Sequence, residues 1–235
     1  MDTTMNRRSF IAASAATVAA AGAGLALAEQ GAAAETAPAQ PVETVDCDLV
    51  VCGLGAAGFM AAITAAKQGA NVVVLEKGDD VTAPNGVYVS GPFAVDTEVL
   101  HTKEGGTTLT VDDVFYHVMN YTHWTPNPAL MRRCIAESKN AVANLLEVGY
   151  EFKEANFRFE TPFIGEKGGF HLITTPLEDR FTIWSNAIEN YGIDARFSTP
   201  MTSIVMDGDK AAGVLAEGPD GTVQVNAGAV IIATG

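Results

Sequence analysis

The chain has 235 residues, of which 48% are hydrophobic and 18% are charged. Its formal net charge of −14 at pH 7 argues against binding to nucleic acid or to anionic membrane surfaces. Its three cysteines have no spacing typical of a disulfide framework, a haem attachment site or a zinc site.

The first 28 residues have the pattern of an export signal. A twin-arginine motif, NRRSFI at 6–11, precedes a weakly apolar run that ends in Ala-Leu-Ala, a small-x-small cleavage pattern. A retained membrane anchor is the alternative, but alanine and glycine contribute little to insertion. We therefore expect residues 1–28 to be a cleaved signal peptide that leaves no membrane span, and the protein to be periplasmic or at the cell surface. Residues 29–44 predict an Ala/Pro-rich linker, and residues 45–235 predict the folded domain.

Residues 47–77 have the pattern of a strand, a glycine turn, a helix and a second strand. The apolar run 48–52 predicts a strand buried on both faces, and 71–75 predicts another. Between them a helix is predicted over 56–68, ended by Gly69. Cys47 and Cys52 lie five apart along the first strand, so they are expected to face opposite sides and not to pair.

The glycine turn reads G-x-G-x-x-G, the fingerprint of a dinucleotide site when strand, helix and second strand surround it. Gly53 would allow the tight turn, Gly55 would leave room for the pyrophosphate, and Gly58 would let helix and strand pack closely. The helix N-terminus would attract the phosphates. Glu76, 23 residues after Gly53, would accept hydrogen bonds from ribose hydroxyls. An acid there favours FAD or NAD over NADP.

Residues 78–96 predict a loop, since Gly, Pro, Asn and Asp are frequent there. Within it, Ser90-Gly91 could offer a hydroxyl and a bare backbone N–H to a nucleotide, although an ordinary surface turn explains them equally well.

Two helices are predicted next. The first, over 111–123, has Thr110 as its N-cap, and the second, over 128–148, has Asn127 as its cap and Gly149 at its end. After them, a strand is expected within 150–161, a glycine loop at 165–171, a helix over 177–191 and a third parallel strand over 193–197.

An antiparallel meander is predicted from three short strands, 201–206, 212–217 and 222–226, and a fourth buried parallel strand from 228–235. The predicted fold class is therefore α/β, a Rossmann-like doubly wound parallel sheet with a three-stranded antiparallel β-meander and inserted helices.

Three separated motifs together resemble the FAD-binding module of the fumarate reductase and succinate dehydrogenase flavoproteins, especially exported twin-arginine members. These motifs are GLGAAG with LEK, the meander sequence TSIVMDGDKAAGV, and the strand AVIIATG, and the resemblance covers 46–235.

The resemblance implies FAD as the cofactor and assigns it a set of contacts. The backbone of the glycine turn would hold the pyrophosphate, Met201 would meet the adenine through its backbone, and the last three residues would match the family's Ala-Thr-Gly-Gly turn. The implied FAD-binding residues are Gly53, Gly55, Ala56, Ala57, Gly58, Glu76, Lys77, Ser90, Gly91, Met201, Ala233, Thr234 and Gly235.

This chain also departs from the family pattern. Pro84-Asn85-Gly86 stands near the place of the usual Gly-Gly-Asn/Ser-Ser/Thr run, and Pro92 replaces the second glycine of the Ser-Gly-Gly segment. The family's catalytic residues, capping domain and second FAD-binding segment follow the Ala-Thr-Gly-Gly turn, so no catalytic residue is carried over and the domain is expected to be incomplete. His171 and Arg180 lie near a glycine loop, and a structural role is favoured for both.

The expected function is that of the FAD-binding part of an exported oxidoreductase that passes hydride from reduced flavin to an activated C=C bond. The resemblance implies an unsaturated acid or an enone as the small-molecule substrate, and a cytochrome or flavin-carrying partner as electron donor. One alternative is a truncated or split nucleotide-binding subunit without catalysis. An NAD-dependent Rossmann enzyme is another, but a plain NAD domain has a helix crossover where the meander is predicted.

Overall fold

The computed structural model describes residues 41–95, 97, 110–155 and 170–235. The predicted signal peptide, most of the predicted linker and the glycine loop up to 169 lie outside the described residues, so these predictions stay predictions. None of the helices in the described ranges is long and apolar enough to cross a membrane.

Eight strands and four α-helices make up the described fold. The strands are β1 (Glu43–Cys52), β2 (Val72–Leu75), β3 (Phe152–Ala155), β4 (Phe170–Ile173), β5 (Asp194–Arg196), β6 (Met201–Asp207), β7 (Lys210–Gly218) and β8 (Gly221–Ile232). The helices are α1 (Ala56–Lys67), α2 (Val111–Tyr121), α3 (Pro128–Glu147) and α4 (Leu177–Asn190), with a short 3-10 helix at Asn85–Tyr88.

Six strands form one sheet in the order β5-β2-β1-β8-β7-β6. The strands β5, β2, β1 and β8 are parallel, whereas β6, β7 and β8 pair antiparallel as the predicted meander. The predicted α/β class is thus confirmed. A separate two-stranded antiparallel sheet, β3 with β4, was not predicted, because the pairing partner of the first strand was interpreted as a loop.

The end of the meander differs from the prediction. The segments 222–226 and 228–235 were predicted as two strands, but the 12-residue strand β8 runs through both. It stays in parallel register with β1 from Glu43 to Cys52, so β1 also begins within the predicted linker. The prediction ended one strand at 226 and began another at Gly228, where a Cβ would lie 3.1 Å from the carbonyl oxygen of Asp48. The glycine therefore lets β1 and β8 approach each other.

The predicted orientation of Cys47 and Cys52 is wrong, because both side chains pack against the same apolar cluster. The alternation of faces slips between them, where the N–H groups of Asp48 and Leu49 both donate to the carbonyl oxygen of Asn71, at 3.0 and 3.2 Å. Both cysteines are free thiols, as expected.

The predicted helix signals are confirmed at both helices of the α2–α3 pair. Thr110 forms a capping box with Asp113 at the start of α2, and the Asn127 side chain accepts from the N–H of Leu130 at the start of α3. Gly69, with a φ of +87°, follows α1 as the predicted C′ glycine.

The main core lies between the sheet and the helices α1 and α4. Its centre is Phe59 of α1 stacked on Trp184 of α4, with ring centroids 3.9 Å apart and planes 3° from parallel. Trp184 is 2% exposed, and its indole N–H donates to the hydroxyl of Tyr150 at 2.7 Å. This contact ties α4 to the segment that leaves α3, so one side chain joins three elements behind the glycine turn.

Replacing Trp184 with phenylalanine should therefore destabilise the fold by about 2–4 kcal/mol, because it removes buried area and leaves the Tyr150 hydroxyl without its donor. The matched control is Trp124→Phe, since Trp124 is 49% exposed, and it should cost less than about 1 kcal/mol. Urea unfolding measures both. Equal midpoints for the two variants would contradict this account of the core.

Candidate nucleotide-binding site

The glycine turn after β1 is shaped by two close approaches. Gly53 has a φ of +101°, and a Cβ there would lie 2.5 Å from the carbonyl oxygen of Ala233. Its N–H donates to the carbonyl oxygen of Leu75 at 2.7 Å. A Cβ at Gly58 would overlap the carbonyl oxygen of Gly53, so α1 can pack this close to the turn only with glycine there. The predicted packing reasons for both glycines are thus seen in the structure.

Gly55 has a different reason to be glycine. It is the N-cap of α1 with a φ of −63°, which any residue can adopt, and a Cβ there would meet no atom within 4 Å. No side chain caps α1 and its first turn has no acidic residue. Ala56 and Ala57, which follow, are exposed. The space beside Gly55 therefore lies open at the positive end of the helix dipole, an arrangement that suits an anion such as a pyrophosphate.

Glu76 is buried, with 6% of its surface exposed, at the end of β2. Its Oε2 accepts from the N–H of Leu54 at 2.7 Å, and its Oε1 accepts from the N–H of Gly78 at 2.8 Å. An ionised carboxylate has about four acceptor positions, so these two bonds leave it able to accept from further donors. The side chain therefore holds the glycine turn and can still bind hydroxyl groups.

A strained connection brings β6 to the same place. Ser198 has a φ of +49°, uncommon for a residue other than glycine. Its N–H donates to the carbonyl oxygen of Gly78 at 2.8 Å, and the next N–H, of Thr199, donates to the carbonyl oxygen of Glu76 at 2.9 Å. These bonds hold the connection against the end of β2 and place Met201 opposite the turn.

These segments enclose a cavity of about 130 Å³. Its lining residues are Cys52, Gly53, Leu75, Glu76, Lys77, Pro200, Met201 and Thr234. Five of them were predicted from the sequence as nucleotide contacts.

Three lining residues were missed. Cys52 and Leu75 were interpreted as core because they end buried strands, and Pro200 carries no signal of its own. Cys52 and Leu75 each end a parallel strand at the carboxyl edge of the sheet, a position that could have indicated them. Burial raises the pKa of the Cys52 thiol to about 11, so it stays neutral and apolar at the cavity wall.

Other predicted contacts lie outside this cavity. Ala233 packs on Gly53 and its N–H donates to the carbonyl oxygen of Cys52 at 2.8 Å, whereas Gly235 does not line the cavity. Ser90 is exposed, and its carbonyl oxygen accepts from the N–H of Ile173 at 2.9 Å.

Gly91 lines a second cavity, of about 260 Å³. Its walls are almost wholly apolar and include Phe59, Tyr150 and Trp184. The structure therefore does not bring the Ser-Gly segment to the cavity beside Glu76, and its contact with a nucleotide stays a prediction.

The run Pro84-Asn85-Gly86 lies across the start of α1. A Cβ at Gly86 would overlap the backbone nitrogen of Ala56, so glycine is required for this approach. The run was predicted only to stand near the family's glycine-rich segment, and the fold puts it next to the helix N-terminus.

Arg180 has the structural role that was favoured for it. Its Nη1 donates to the carbonyl oxygens of Val89 and Val87, at 2.8 and 3.2 Å, and its Nε donates to that of Thr175 at 2.9 Å. The guanidinium thereby ties the segment after the 3-10 helix to α4. The side chain of His171 lies outside the described residues.

The sequence matches the profile of a family described as the FAD binding domain over residues 48–235. The chain belongs to this family. The match confirms the predicted resemblance and decides the cofactor in favour of FAD over NAD.

Two curated relatives carry reductase names. A vinyl phenol reductase of Lactiplantibacillus plantarum is 30% identical over 80% of this chain and 37% of its own length. A fumarate reductase (cytochrome) of Shewanella frigidimarina is 31% identical over 83% of this chain and 34% of its own length. The chain thus spans about a third of the length of these relatives.

Solved structures share the fold. A flavocytochrome c3 fumarate reductase superposes with a TM-score of 0.63 at 22% identity, covering 83% of this chain and 34% of that one. A 3-ketosteroid dehydrogenase from Rhodococcus jostii also gives 0.63, at 18% identity, covering 84% and 47%.

The side chain of Glu76 should stabilise the fold even when no nucleotide is bound. The variant Glu76→Gln has the same shape, but its amide NH₂ must face one of the two N–H donors, of Leu54 or Gly78. One buried donor then loses its acceptor, which should cost about 1–3 kcal/mol of unfolding free energy.

Urea unfolding of the FAD-free protein measures this cost, with Glu189→Gln on the exposed face of α4 as the matched control. An unfolding free energy equal to that of the control would show that the two backbone bonds do not hold the turn.

Proposed function

We propose that this chain is the FAD-binding part of an exported flavoprotein reductase. One observation carries the proposal: the uncapped N-terminus of α1, with open space at Gly55, lies beside the buried carboxylate of Glu76. A dinucleotide requires both an anion site and an acceptor for ribose hydroxyls, joined by one tight turn.

The described residues fit FAD at its adenosine end. The N–H groups of Ala56 and Ala57 would receive the pyrophosphate, and the free acceptor positions of Glu76 would receive the ribose. Exposed Lys77, at the cavity wall, would add a positive charge near the phosphates. Met201 would contact the adenine through its backbone. Thr234, in the Ala-Thr-Gly turn, would form another part of the cavity wall. Ser90 and Gly91 would approach the flavin from the segment that Arg180 holds.

Bound FAD would supply hydride transfer to an activated C=C bond. The names of two relatives support this substrate class, because vinyl phenol and fumarate both contain a C=C bond conjugated to an electron-withdrawing or aromatic group. We therefore propose an unsaturated acid or enone as substrate. A separate redox protein would supply the electrons, which is consistent with the cytochrome in the name of one relative.

Export is proposed from the twin-arginine motif at 6–11, the apolar run after it and the small-x-small pattern at 26–28. The twin-arginine route carries folded proteins, so the domain would take up FAD before export.

A second candidate is a nucleotide-binding subunit whose catalytic groups come from another polypeptide. Turnover of an unsaturated acid by the purified FAD-loaded protein, with a chemical reductant as electron source, would favour the reductase over this candidate.

A substitution at Gly55 should affect nucleotide binding without affecting folding, because the space at its Cβ position is empty and its φ of −63° suits any residue. The variant Gly55→Val should leave urea stability within about 1 kcal/mol of the wild type, but should weaken FAD binding by about 100-fold or more because the side chain fills the phosphate space.

Gly55→Ala should give a smaller loss of affinity. Isothermal titration with FAD and with NAD measures all three proteins. Unchanged FAD affinity in Gly55→Val, or tighter binding of NAD than of FAD by the wild type, would refute the proposed site.

A further inference from the structure

The chain reverses direction at a tight corner between β5 and β6. At the end of β5, the carbonyl oxygen of Arg196 accepts from the N–H of Glu76 at 2.9 Å. A few residues later, the N–H of Thr199 donates to the carbonyl oxygen of the same Glu76, also at 2.9 Å. The chain thus returns to a residue that it has just passed, so it must reverse between these two bonds. We call residues 197–199 the corner.

Ser198 makes this reversal. Its φ of +49° lies in the left-handed region, which few residues other than glycine, asparagine and aspartate adopt readily. Its N–H donates to the carbonyl oxygen of Gly78 at 2.8 Å, and its hydroxyl donates to Oδ1 of Asp79 at 3.2 Å. The corner therefore keeps a conformation that serine alone does not favour, because the segment after β2 holds it there.

The residues after Ser198 transmit this conformation to the cavity beside Glu76. Thr199 is 3% exposed, and its hydroxyl donates to the carbonyl oxygen of Phe197 at 2.7 Å. Since Thr199 precedes Pro200, its backbone is restricted to extended conformations, and the proline ring fixes the next φ. Pro200 and Met201 both line the cavity. The chain between Ser198 and the cavity wall thus has little rotational freedom.

The corner is bonded to the same segment that holds the glycine turn. Oε1 of Glu76 accepts from the N–H of Gly78, and the carbonyl oxygen of Gly78 accepts from the N–H of Ser198. The other carboxylate oxygen, Oε2, accepts from the N–H of Leu54 in the turn. A change of backbone conformation at Ser198 would therefore shift the wall that follows it relative to the carboxylate of Glu76.

We propose that Ser198 is a positioning residue for the adenosine part of the nucleotide. Its left-handed conformation sets the gap between the wall of Pro200 and Met201 and the carboxylate of Glu76, which adenine and ribose would enter. Ser198 does not itself line the cavity, so it acts through these residues. This role depends on the proposed function, because the cavity must bind the adenosine end of FAD.

A purely structural role for Ser198 would have a different signature. Replacement of the residue would then lower the fraction of folded protein and weaken the apparent binding of every ligand by the same factor. A positioning role weakens adenosine binding selectively, because the phosphates would bind at the N–H groups of Ala56 and Ala57. The ratio of the affinity for ADP to that for inorganic pyrophosphate separates the two roles, since the folded fraction cancels in it.

The test uses the full 235-residue chain without FAD. Isothermal titration gives the affinity for ADP, and competition against ADP gives the affinity for pyrophosphate. Ser198→Val should lower the ratio by about tenfold or more, because a β-branched residue strongly disfavours the left-handed region. The matched control is Ser203→Val, the same replacement at an exposed serine of β6. Its ratio should stay within about twofold of the wild type.

A second pair of variants decides the role of Ser198 if valine prevents folding. Ser198→Gly and Ser198→Ala both lack the hydroxyl that bonds to Asp79, and they differ in their tolerance of a left-handed backbone. Ser198→Gly should keep the ratio within about threefold of the wild type, and Ser198→Ala should lower it by about threefold or more relative to Ser198→Gly. Equal ratios in these two variants would overturn the positioning role.

The wild type and the valine variants distinguish failure of this role from failure of the nucleotide site. A wild-type chain that binds ADP no more tightly than pyrophosphate has no adenosine site, which refutes the proposed function and the role of Ser198 together. A wild-type chain that prefers ADP, with an unchanged ratio in Ser198→Val, overturns the role of Ser198 alone. A loss in Ser203→Val equal to that in Ser198→Val would assign the effect to β6 as a whole and would also overturn it.

Discussion

The carboxylate of Glu76 is the interaction on which the rest of the site depends. It accepts from the N–H groups of Leu54 and Gly78, one in the glycine turn and one after β2. The main chain of the same residue accepts from the N–H of Thr199 and donates to the carbonyl oxygen of Arg196 at 2.9 Å. One buried acid thus joins four segments: the turn, the end of β2, the end of β5 and the start of β6. Replacement of the acid by its amide would leave one of the two side-chain-bonded N–H groups without an acceptor rather than remove a surface contact.

In the proposed site, this arrangement would form the adenosine end before a nucleotide arrives. Glu76 is held by two backbone donors and lines the cavity together with Gly53 and Met201. The N-terminus of α1 differs from Glu76 in this respect. No side chain caps its N–H groups, and its first turn contains no acidic residue. In the proposed site, the ribose would therefore meet a carboxylate that protein donors already hold, and the phosphates would meet N–H groups that no side chain caps.

The sequence predicted correctly those parts of the fold that depend on residues close together in the chain. The helix caps at Thr110 and Asn127, the turn at Gly53 and the order of the βαβ unit all depend on neighbours within a few residues. The failures had causes distant in sequence. The segments 222–226 and 228–235 were predicted as separate strands, but Gly228 lies within β8, close to Asp48 of β1. The slip of β1 between Cys47 and Cys52 occurs where two N–H groups donate to the carbonyl oxygen of Asn71. The hydrogen bonds of Glu76 with Leu54, Gly78 and Thr199 were not predicted. The sequence motif identifies the acidic residue but not the backbone groups that bind it.

The position of β8 sets one wall of the cavity. Its first half is held between β1 and β7, and its second half pairs with β1, the one strand among the described residues that contacts it there. The chain then passes through Ala233, which packs on Gly53, to Thr234 at the cavity. The position of Thr234 therefore depends on the pairing of β8 with β1 and on the close contact of Ala233 with Gly53, which is possible because Gly53 has no side chain.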